Sequence, residues 1–158
     1  MRNRGFEVCK GYENKNINLP KRQTKHAVAY DIEAAEDTVI PSMFTAIKNE
    51  DNIKPTLIKT GIKAYFNEDE ILLLYNRSSG PFKKGLVKAN SVGVIESDYY
   101  CNPSNDGEIL VDFYNFSKDD IIIKKGERIA QIVFQKFLVV DNDFATGDRQ
   151  GGFGSTDK

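Results

Sequence analysis

Residues 90–99 read Asn-Ser-Val-Gly-Val-Ile-Glu-Ser-Asp-Tyr and carry the most informative pattern in the chain. Apolar and polar side chains alternate around a single glycine, which predicts a β-strand entering a turn where a ligand can approach the backbone. An amide, Asn90, stands at one end, and a carboxylate and an aromatic ring, Glu96 and Tyr99, stand at the other. This combination suits a small pocket for a base and a sugar with a proton acceptor at its rim, although the same pattern also describes an ordinary hairpin.

Strand-like segments recur along the rest of the chain, separated by clusters of proline, glycine, asparagine and aspartate. The predicted strands cover residues 29–32, 56–65, 71–75, 108–114, 120–123 and 128–140. No segment keeps an apolar period of three to four residues over several turns, so long helices are not expected. One helical turn is predicted at 80–85, where Pro81 comes early and Gly85 closes the segment. This pattern predicts an all-β sandwich or jelly roll.

Composition limits the classes of protein to which this chain can belong. Its 158 residues, 40% of them apolar, are enough for one domain with a substantial core. The formal net charge of -1 argues against non-specific attraction to nucleic acid or to anionic membranes. No apolar segment has the character of a signal peptide or a transmembrane helix, which predicts a cytoplasmic location. The chain has two cysteines, without CxxC spacing, and a single histidine. These residues are too few for a structural zinc site or for histidine-based catalysis.

Residues 147–158 differ in composition from the rest of the chain, because four glycines surround Arg149, Phe153 and two hydroxyl residues. So many glycines lose much conformational entropy on ordering, which predicts a tail that is mobile without ligand. The guanidinium and hydroxyl groups nevertheless suit phosphate oxygens, and Phe153 can cover a flat ring. A disordered end without a function is the alternative. We therefore divide the chain into a β domain, 1–146, and a C-terminal arm.

Three further sets of polar residues are candidates for binding phosphate or a metal ion. Arg77, Ser78 and Ser79 follow a predicted strand, where free backbone amides and side-chain donors favour an anion. Asp31 lies beside apolar residues on a short strand, where it can hold a hydrated Mg²⁺ that bridges phosphates. Gln131 follows a turn and can donate to a phosphate. Each set also has a plainer interpretation: a helix N-cap with a surface arginine, a turn aspartate, and an ordinary β-turn.

In combination these segments resemble the trimeric dUTPase family, the dUTP nucleotidohydrolases that release dUMP and pyrophosphate. Five motifs follow one another in the order of that family and span most of the chain, which makes chance implausible. They are Ala29-Tyr30-Asp31, Arg77 through Leu86, Gly93 through Tyr99, Gly126 through Gln131, and Arg149 with residues 151–156. A dCTP deaminase of the same fold matches less well, because the motifs and the glycine-rich tail are those of the hydrolases.

The resemblance implies an all-β jelly roll of the β-clip type that forms a homotrimer with its active sites at the subunit interfaces. The uracil edge would be read by Asn90 and by the hairpin backbone at Gly93, Val94 and Ile95. Tyr99 would pack against the deoxyribose and reject a 2′-hydroxyl. Glu96 falls at the position of the residue that activates water for attack on the α-phosphorus.

The resemblance also implies how the phosphates are held. Asp31 would position Mg²⁺ through water. Within the β domain the phosphate ligands would be Arg77, Ser78, Ser79 and Gln131. The arm of a neighbouring subunit would close over the nucleotide, with Phe153 stacked on uracil. The arm residues against the phosphates would be Arg149, Gly154, Ser155 and Thr156.

Several positions depart from the family pattern. Glu96 replaces an aspartate, and a carboxylate displaced by about 1 Å can lower a rate on the order of a hundredfold. Ala29 replaces a glycine, which matters if that position requires a positive φ. Cys101 stands at a glycine position in a longer loop, 100–107, and Asp157 replaces a terminal glycine.

Two functions are consistent with these departures. One is a working dUTPase with an unusual base. The other is a weakly hydrolytic protein that binds nucleotide or, through loop 100–107, a protein regulator.

Overall fold

The computed structural model describes residues 2–147, 149 and 151–152, and short strands make up most of its regular structure. The strands are β1 (Gly5–Val8), β2 (Tyr30–Glu33), β3 (Thr38–Ile40), β4 (Thr56–Lys59), β5 (Ile62–Tyr65), β6 (Glu70–Asn76), β7 (Leu86–Lys88), β8 (Gly93–Ile95), β9 (Leu110–Asn115), β10 (Ile121–Ile123) and β11 (Arg128–Lys136). The helical segments are α1 (Met43–Lys48), a π-helical turn (Gly80–Lys84) and a 3-10 turn (Ser97–Tyr99). No helix within these described ranges is long and apolar enough to cross a membrane. The predicted all-β class is confirmed.

Two larger sheets supply most of the core. One has the strand order β2-β11-β6-β8 and the other β4-β9-β7, and the pairs β1-β5 and β3-β10 complete the fold. Ile32, Leu72 and Ile132 from the first sheet share one buried cluster with Val111 and Phe113 from the second. Burying each such side chain stabilises the fold by about 1.5–3 kcal/mol. The apolar faces of the two sheets therefore meet in a common core, as expected for a jelly roll.

The prediction of one strand over 56–65 was wrong, because the chain changes sheets at Gly61. β4 pairs with β9, whereas β5 pairs with β1. Gly61 has a φ of +67°, and a Cβ there would lie 2.7 Å from the ring of Tyr12, so the corner requires glycine. The Thr60 hydroxyl donates to the Ile109 carbonyl at 2.5 Å and fixes the corner from inside. Alternating side chains alone do not reveal such a corner.

The last strand is also shorter than predicted. β11 ends at Lys136 rather than at 140, and the apolar segment that follows it lies on the surface of the chain. Leu138 is 97% exposed and Val140 is 76% exposed. The prediction that the strand continues through 137–140 was wrong, because its pairing with β6 ends at Lys136, opposite Glu70.

Four elements were missed by the sequence predictions: β1, β3, β7 and α1. The three strands have only three or four residues each, too few to establish a period. α1 has six residues, none of them buried, so no apolar stripe marks it; it begins after Ser42, whose hydroxyl accepts from the Phe44 amide at 3.2 Å. The helical turn predicted at 80–85 is confirmed, and Gly85 ends it with a φ of 67°.

Glu70 predicts a pH dependence of stability. Its side chain is almost fully buried and accepts from Arg4 Nε at 3.1 Å and from the Asn67 amide at 3.2 Å. The Arg4 hydrogen bonds hold the pKa of this carboxyl below its usual range. A carboxyl with a lowered folded-state pKa contributes stability above its unfolded pKa, and that contribution is lost as the pH falls through the folded value.

We therefore expect Glu70→Gln to lower the free energy of unfolding by about 1–2 kcal/mol at pH 7. The difference from the wild type should shrink as the pH falls below about 4, since the carboxyl of the unfolded wild-type chain is protonated first and that of the folded chain at lower pH. Urea denaturation at pH 7 and pH 3 measures both values. An equal difference at the two pH values would contradict the role of the charge.

Candidate active site

The β2-β11-β6-β8 sheet brings together motifs that are far apart in sequence. In the antiparallel register, Gln131 of β11 lies opposite Asp31 of β2 on one side and opposite Tyr75 of β6 on the other. Arg77 follows β6 directly, and β8 lies at the far edge of the same sheet. The predicted phosphate residues therefore lie at one end of adjacent strands.

Asp31 is the centre of an arginine cluster. Arg77 Nε donates to Asp31 Oδ1 at 3.0 Å, and Arg128 Nη1 donates to Asp31 Oδ2 at 3.2 Å. Arg77 Nη1 also donates to the Arg128 carbonyl at 3.2 Å. The Asp31 side chain is only 12% exposed, whereas both guanidinium groups that it binds remain partly exposed to solvent. An arginine held in this way is preorganised for an anion.

Arg128 was not among the predicted site residues. It lies in the Gly126–Gln131 motif, but in sequence it looks like a surface arginine at the start of a strand. Its pairing with Asp31 depends on the β2-β11 register, which no local pattern reveals. The signal that could have found it is its position three residues before Gln131.

Ser78 and Ser79 lie where the strand passes into the π-helical turn. Ser79 occupies the N-cap position, but its hydroxyl makes no capping hydrogen bond, so the plain capping interpretation is not supported. Ser78 is exposed, and Ser79 lines a cleft of about 440 Å³ beside Arg77, Lys83 and Arg128. The cleft thus combines the Ser79 hydroxyl with several positive charges.

Gln131 is used differently from the other predicted phosphate ligands. Its Nε2 donates to the Asn76 carbonyl at 3.0 Å, at the last residue of β6. This bond ties β11 to the strand end from which Arg77 begins. In the structure the side-chain amide of Gln131 therefore helps to position the segment Arg77–Ser79.

The second half of the site is a cleft of about 170 Å³ beside β8. It is lined by Leu74, Asn90, Gly93, Val94, Ile95, Glu96, Tyr99, Leu110, Arg149 and Gly152. Of the opening stretch, only Gly93–Ile95 is a strand; a turn precedes it and a 3-10 turn follows. Leu74 and Leu110, which the sequence predictions missed, supply apolar lining from β6 and β9. A Cβ at Gly93 would lie 3.1 Å from Leu74 Cβ, so the glycine keeps the cleft open.

A buried ion pair holds the start of this hairpin. The Asp112 carboxylate pairs with Lys88 Nζ, and both side chains are nearly inaccessible to solvent. Asp112 Oδ2 also accepts from the backbone amide of Asn90 at 2.8 Å. The turn is therefore anchored to β9, and Asn90 lies exposed at the edge of the cleft.

Glu96 lies at the rim of the cleft with a half-exposed side chain. Arg149 Nη2 lies 2.9 Å from Glu96 Oε2, and Arg149 Nε donates to Asp98 Oδ1 at 2.6 Å. A Cβ at Gly152 would lie 2.9 Å from the Tyr99 ring, so glycine is needed for the arm to pass. The described part of the arm thus rests on the pocket of its own chain. Phe153, Gly154, Ser155 and Thr156 lie outside the described residues.

Tyr99 forms a nearly buried wall of the cleft, and its hydroxyl points to the protein. Its Oη donates to the Glu108 carbonyl at 3.1 Å and accepts from Asn105 Nδ2 at 2.8 Å. Burial raises the pKa of this hydroxyl. The ring is therefore fixed at its far end while its edge borders the pocket.

Two departures from the family pattern have structural explanations. Ala29 is not among the described residues with positive φ, so its methyl group introduces no backbone strain. Cys101 does adopt the left-handed conformation, with a φ of 56°, at the position where the family has glycine. The longer loop 100–107 accommodates this conformation through its own hydrogen bonds, described below.

Comparisons with known proteins agree with this geometry. The sequence profile of the dUTPase family matches residues 15–157. The deoxyuridine 5′-triphosphate nucleotidohydrolase of Lactococcus lactis is 50% identical over 158 residues, covering 99% of this chain and 99% of its own. The protein of the same name from Rickettsia conorii is 34% identical over 152 residues, with 93% of each chain covered.

A solved structure leads to the same family. The crystal structure of the dUTPase from Streptococcus mutans superposes with a TM-score of 0.77 at 43% identity, covering 87% of this chain and 99% of that one. The profile match and the 50% identity extend over nearly the whole chain. This chain therefore belongs to the dUTPase family.

Proposed function

We propose that the protein hydrolyses dUTP to dUMP and pyrophosphate, which limits uracil incorporation into DNA and supplies dUMP. The observation that carries the proposal is the cleft beside β8, where Asn90, the β8 backbone and the Tyr99 ring surround a volume of about 170 Å³. The Glu96 carboxylate lies at its rim. The apolar lining from Leu74, Ile95 and Leu110 beside the exposed edge of β8 suits a small flat base with its deoxyribose. The family membership supports the same substrate.

Glu96 is the proposed general base. A water molecule attacks the α-phosphorus, its proton passes to Glu96, and the bond between the α-phosphorus and the bridging oxygen breaks, so that pyrophosphate leaves. General-base catalysis requires a carboxylate within reach of that water. The half-exposed Glu96 side chain can move towards it, which compensates for its extra methylene. Arg149, whose Nη2 lies 2.9 Å from Glu96 Oε2, can turn to the phosphates when the nucleotide binds.

The residues around Asp31 fit a hydrated Mg²⁺ that arrives with the triphosphate. No group of three or more His, Cys, Asp or Glu side chains in the described part of the chain could hold a bare ion. Both Asp31 oxygens accept from arginines, but each retains a lone pair for a metal-bound water. Mg²⁺ typically keeps several waters and binds through one or two carboxylates and phosphates. When bound, it would neutralise charge on the leaving pyrophosphate.

Arg77, Ser78 and Ser79 are the proposed phosphate ligands, with Arg128 as a further positive charge beside them. Gln131 is retained as a further proposed phosphate ligand, and its bond to the Asn76 carbonyl also supports this segment. We retain Phe153, Gly154, Ser155 and Thr156 as proposed ligands from the arm. The arm is proposed to close over the nucleotide and exclude water.

We further propose that the active form is a homotrimer with sites between subunits. On a single chain the phosphate residues and the base cleft are separate, since none of Arg77, Ser79 or Gln131 lines the cleft beside β8. The apolar segment after β11 is also exposed, and Phe144 beyond it is 82% exposed. Another copy of the chain can cover this segment and bring its phosphate residues to the first chain's base cleft. A cytoplasmic location, without nucleic-acid or membrane partners, is part of the same proposal.

Pyrophosphate release from dUTP in the presence of Mg²⁺ tests this function, with Glu96→Asp assayed beside the wild type. We expect measurable turnover in the wild type and equal or faster turnover in the aspartate variant, since aspartate is the family residue. A lack of turnover in both proteins, with dUTP still bound, would favour a nucleotide-binding protein without hydrolytic activity.

A further inference from the structure

We propose that Asn105 is a positioning residue that holds the ring of Tyr99 against the sugar and thereby sets the discrimination between deoxyribose and ribose. The proposal rests on the dUTP-binding function given above. Asn105 lies in loop 100–107, the segment in which this chain departs from the family pattern, and it is outside the cleft itself. It acts through the Tyr99 hydroxyl.

Asn105 uses every polar group of its side chain. Its Nδ2 donates to Tyr99 Oη at 2.8 Å and to the Glu108 carbonyl at 3.1 Å. Its Oδ1 accepts from Asn102 Nδ2 at 2.8 Å and from the Gly107 amide at 3.2 Å. If the Asn105 side-chain amide were flipped, its NH2 group would face Asn102 Nδ2 and the Gly107 amide, which are themselves donors. The hydrogen-bond network therefore fixes the orientation of the Asn105 amide. Asn105 therefore presents a donor, and not an acceptor, to the tyrosine.

The loop around Asn105 is cross-linked by its own hydrogen bonds. Asn102 is buried and also donates from Nδ2 to the Tyr99 carbonyl at 2.9 Å. Gly107 has a φ of +80°, and a Cβ there would lie 2.8 Å from the Tyr99 carbonyl oxygen. On the outer side, the buried Lys63 Nζ donates to Asp106 Oδ2 at 2.8 Å. Asn105 is thus held from both sides and can transmit this constraint to Tyr99.

A fixed ring is what discrimination against a single hydroxyl requires. A 2′-hydroxyl can be excluded only if the wall beside the sugar cannot retreat by about 1 Å, a displacement that matters strongly in active sites. The Tyr99 hydroxyl has two partners, Asn105 Nδ2 and the Glu108 carbonyl, and Asn105 also holds that carbonyl. Without the Asn105 side chain, the Tyr99 hydroxyl would keep only its bond to the Glu108 carbonyl. That carbonyl oxygen would also have lost its hydrogen bond from Asn105. The ring could then shift and admit ribose.

The test measures kcat and KM for dUTP and UTP in Asn105→Ala by pyrophosphate release. We expect the ratio of kcat/KM for dUTP to that for UTP to fall about five- to tenfold, with kcat for dUTP within about twofold of the wild type. Ser104→Ala is the matched control, because its hydroxyl donates to Asn102 in the same loop but does not contact Tyr99. Its selectivity should equal that of the wild type.

Tyr99→Phe decides whether Asn105 acts through the hydroxyl. This variant removes the hydrogen bond to Asn105 together with the one to the Glu108 carbonyl, and it leaves the Asn105 contacts within the loop in place, so it remains informative if Asn105→Ala does not fold. We expect a loss of selectivity in Tyr99→Phe at least as large as in Asn105→Ala, and no further loss in the double variant beyond that of Tyr99→Phe. Unchanged selectivity in Tyr99→Phe would overturn the proposal, as would losses that multiply in the double variant.

Binding separates this proposal from the proposed activity. The affinities of the non-hydrolysable α,β-imido-dUTP and α,β-imido-UTP, measured by calorimetry, should show the same fall in selectivity in Asn105→Ala. If the wild type did not hydrolyse dUTP, the proposed activity would be disproved. The ratio of the affinities for the two imido nucleotides would still decide the role of Asn105. A binding ratio equal to that of the wild type would reject that role even in an active enzyme.

Discussion

Replacing Glu96 with glutamine is expected to lower kcat for dUTP hydrolysis by about two to four orders of magnitude. Glutamine keeps the shape of the side chain, and its amide oxygen can still accept from Arg149, but it cannot take a proton from water. Because Glu96 lies at the rim of the cleft and not among the groups proposed to read the base, KM should change by less than about threefold. Steady-state pyrophosphate release gives both constants.

Asp98→Asn is the matched control for this experiment. Asp98 is the neighbouring carboxylate, is similarly exposed and holds the same arginine, Arg149, at 2.6 Å. Since it does not line the cleft, its variant should retain kcat within about fivefold of the wild type. An inactive Asp98→Asn beside an active Glu96→Gln would assign the base to Asp98 and reject our mechanism.

Deletion of residues 148–158 is expected to lower kcat/KM for dUTP by at least about a hundredfold, because the arm is proposed to exclude water and complete the phosphate site. The oligomeric state and the melting temperature should not change. Among the described arm residues, Arg149 pairs with Glu96 and Asp98 near the surface, and Gly152 lies beside the Tyr99 ring. Pyrophosphate release, light scattering and thermal melting measure the three properties.

A variant that lacks only residues 157 and 158 is the control for this deletion. It tests whether activity depends on the arm motif, Arg149 with residues 151–156, or only on the full length of the chain. It keeps Phe153 and the hydroxyl residues, so its activity should equal that of the full chain. If the longer deletion left activity unchanged, the role proposed for Phe153 as a cover on the uracil would be wrong. If the longer deletion dissociated the protein, the arm would belong to the interface between subunits as well.

The sequence predictions succeeded where the determining interactions are local. The short apolar run from Ile71 to Tyr75 indicated β6, and the Pro81 and Gly85 pair indicated the short helical turn. They failed where distant residues decide the outcome. Gly61 divides 56–65 because Tyr12 packs against it, and β11 stops at Lys136, where its pairing with β6 ends opposite Glu70.

By itself, the sequence determined the all-β class, the order of the motifs and the chemical type of each site residue, because these depend on residue identity and short-range spacing. Only the tertiary structure decided which residues meet. The strand register pairs Arg128 with Asp31 and places Gln131 under the phosphate segment. The folding of loop 100–107 onto Tyr99 gives Asn105 its contact. Such contacts depend on the relative positions of strands and loops far apart in sequence, which no local pattern encodes.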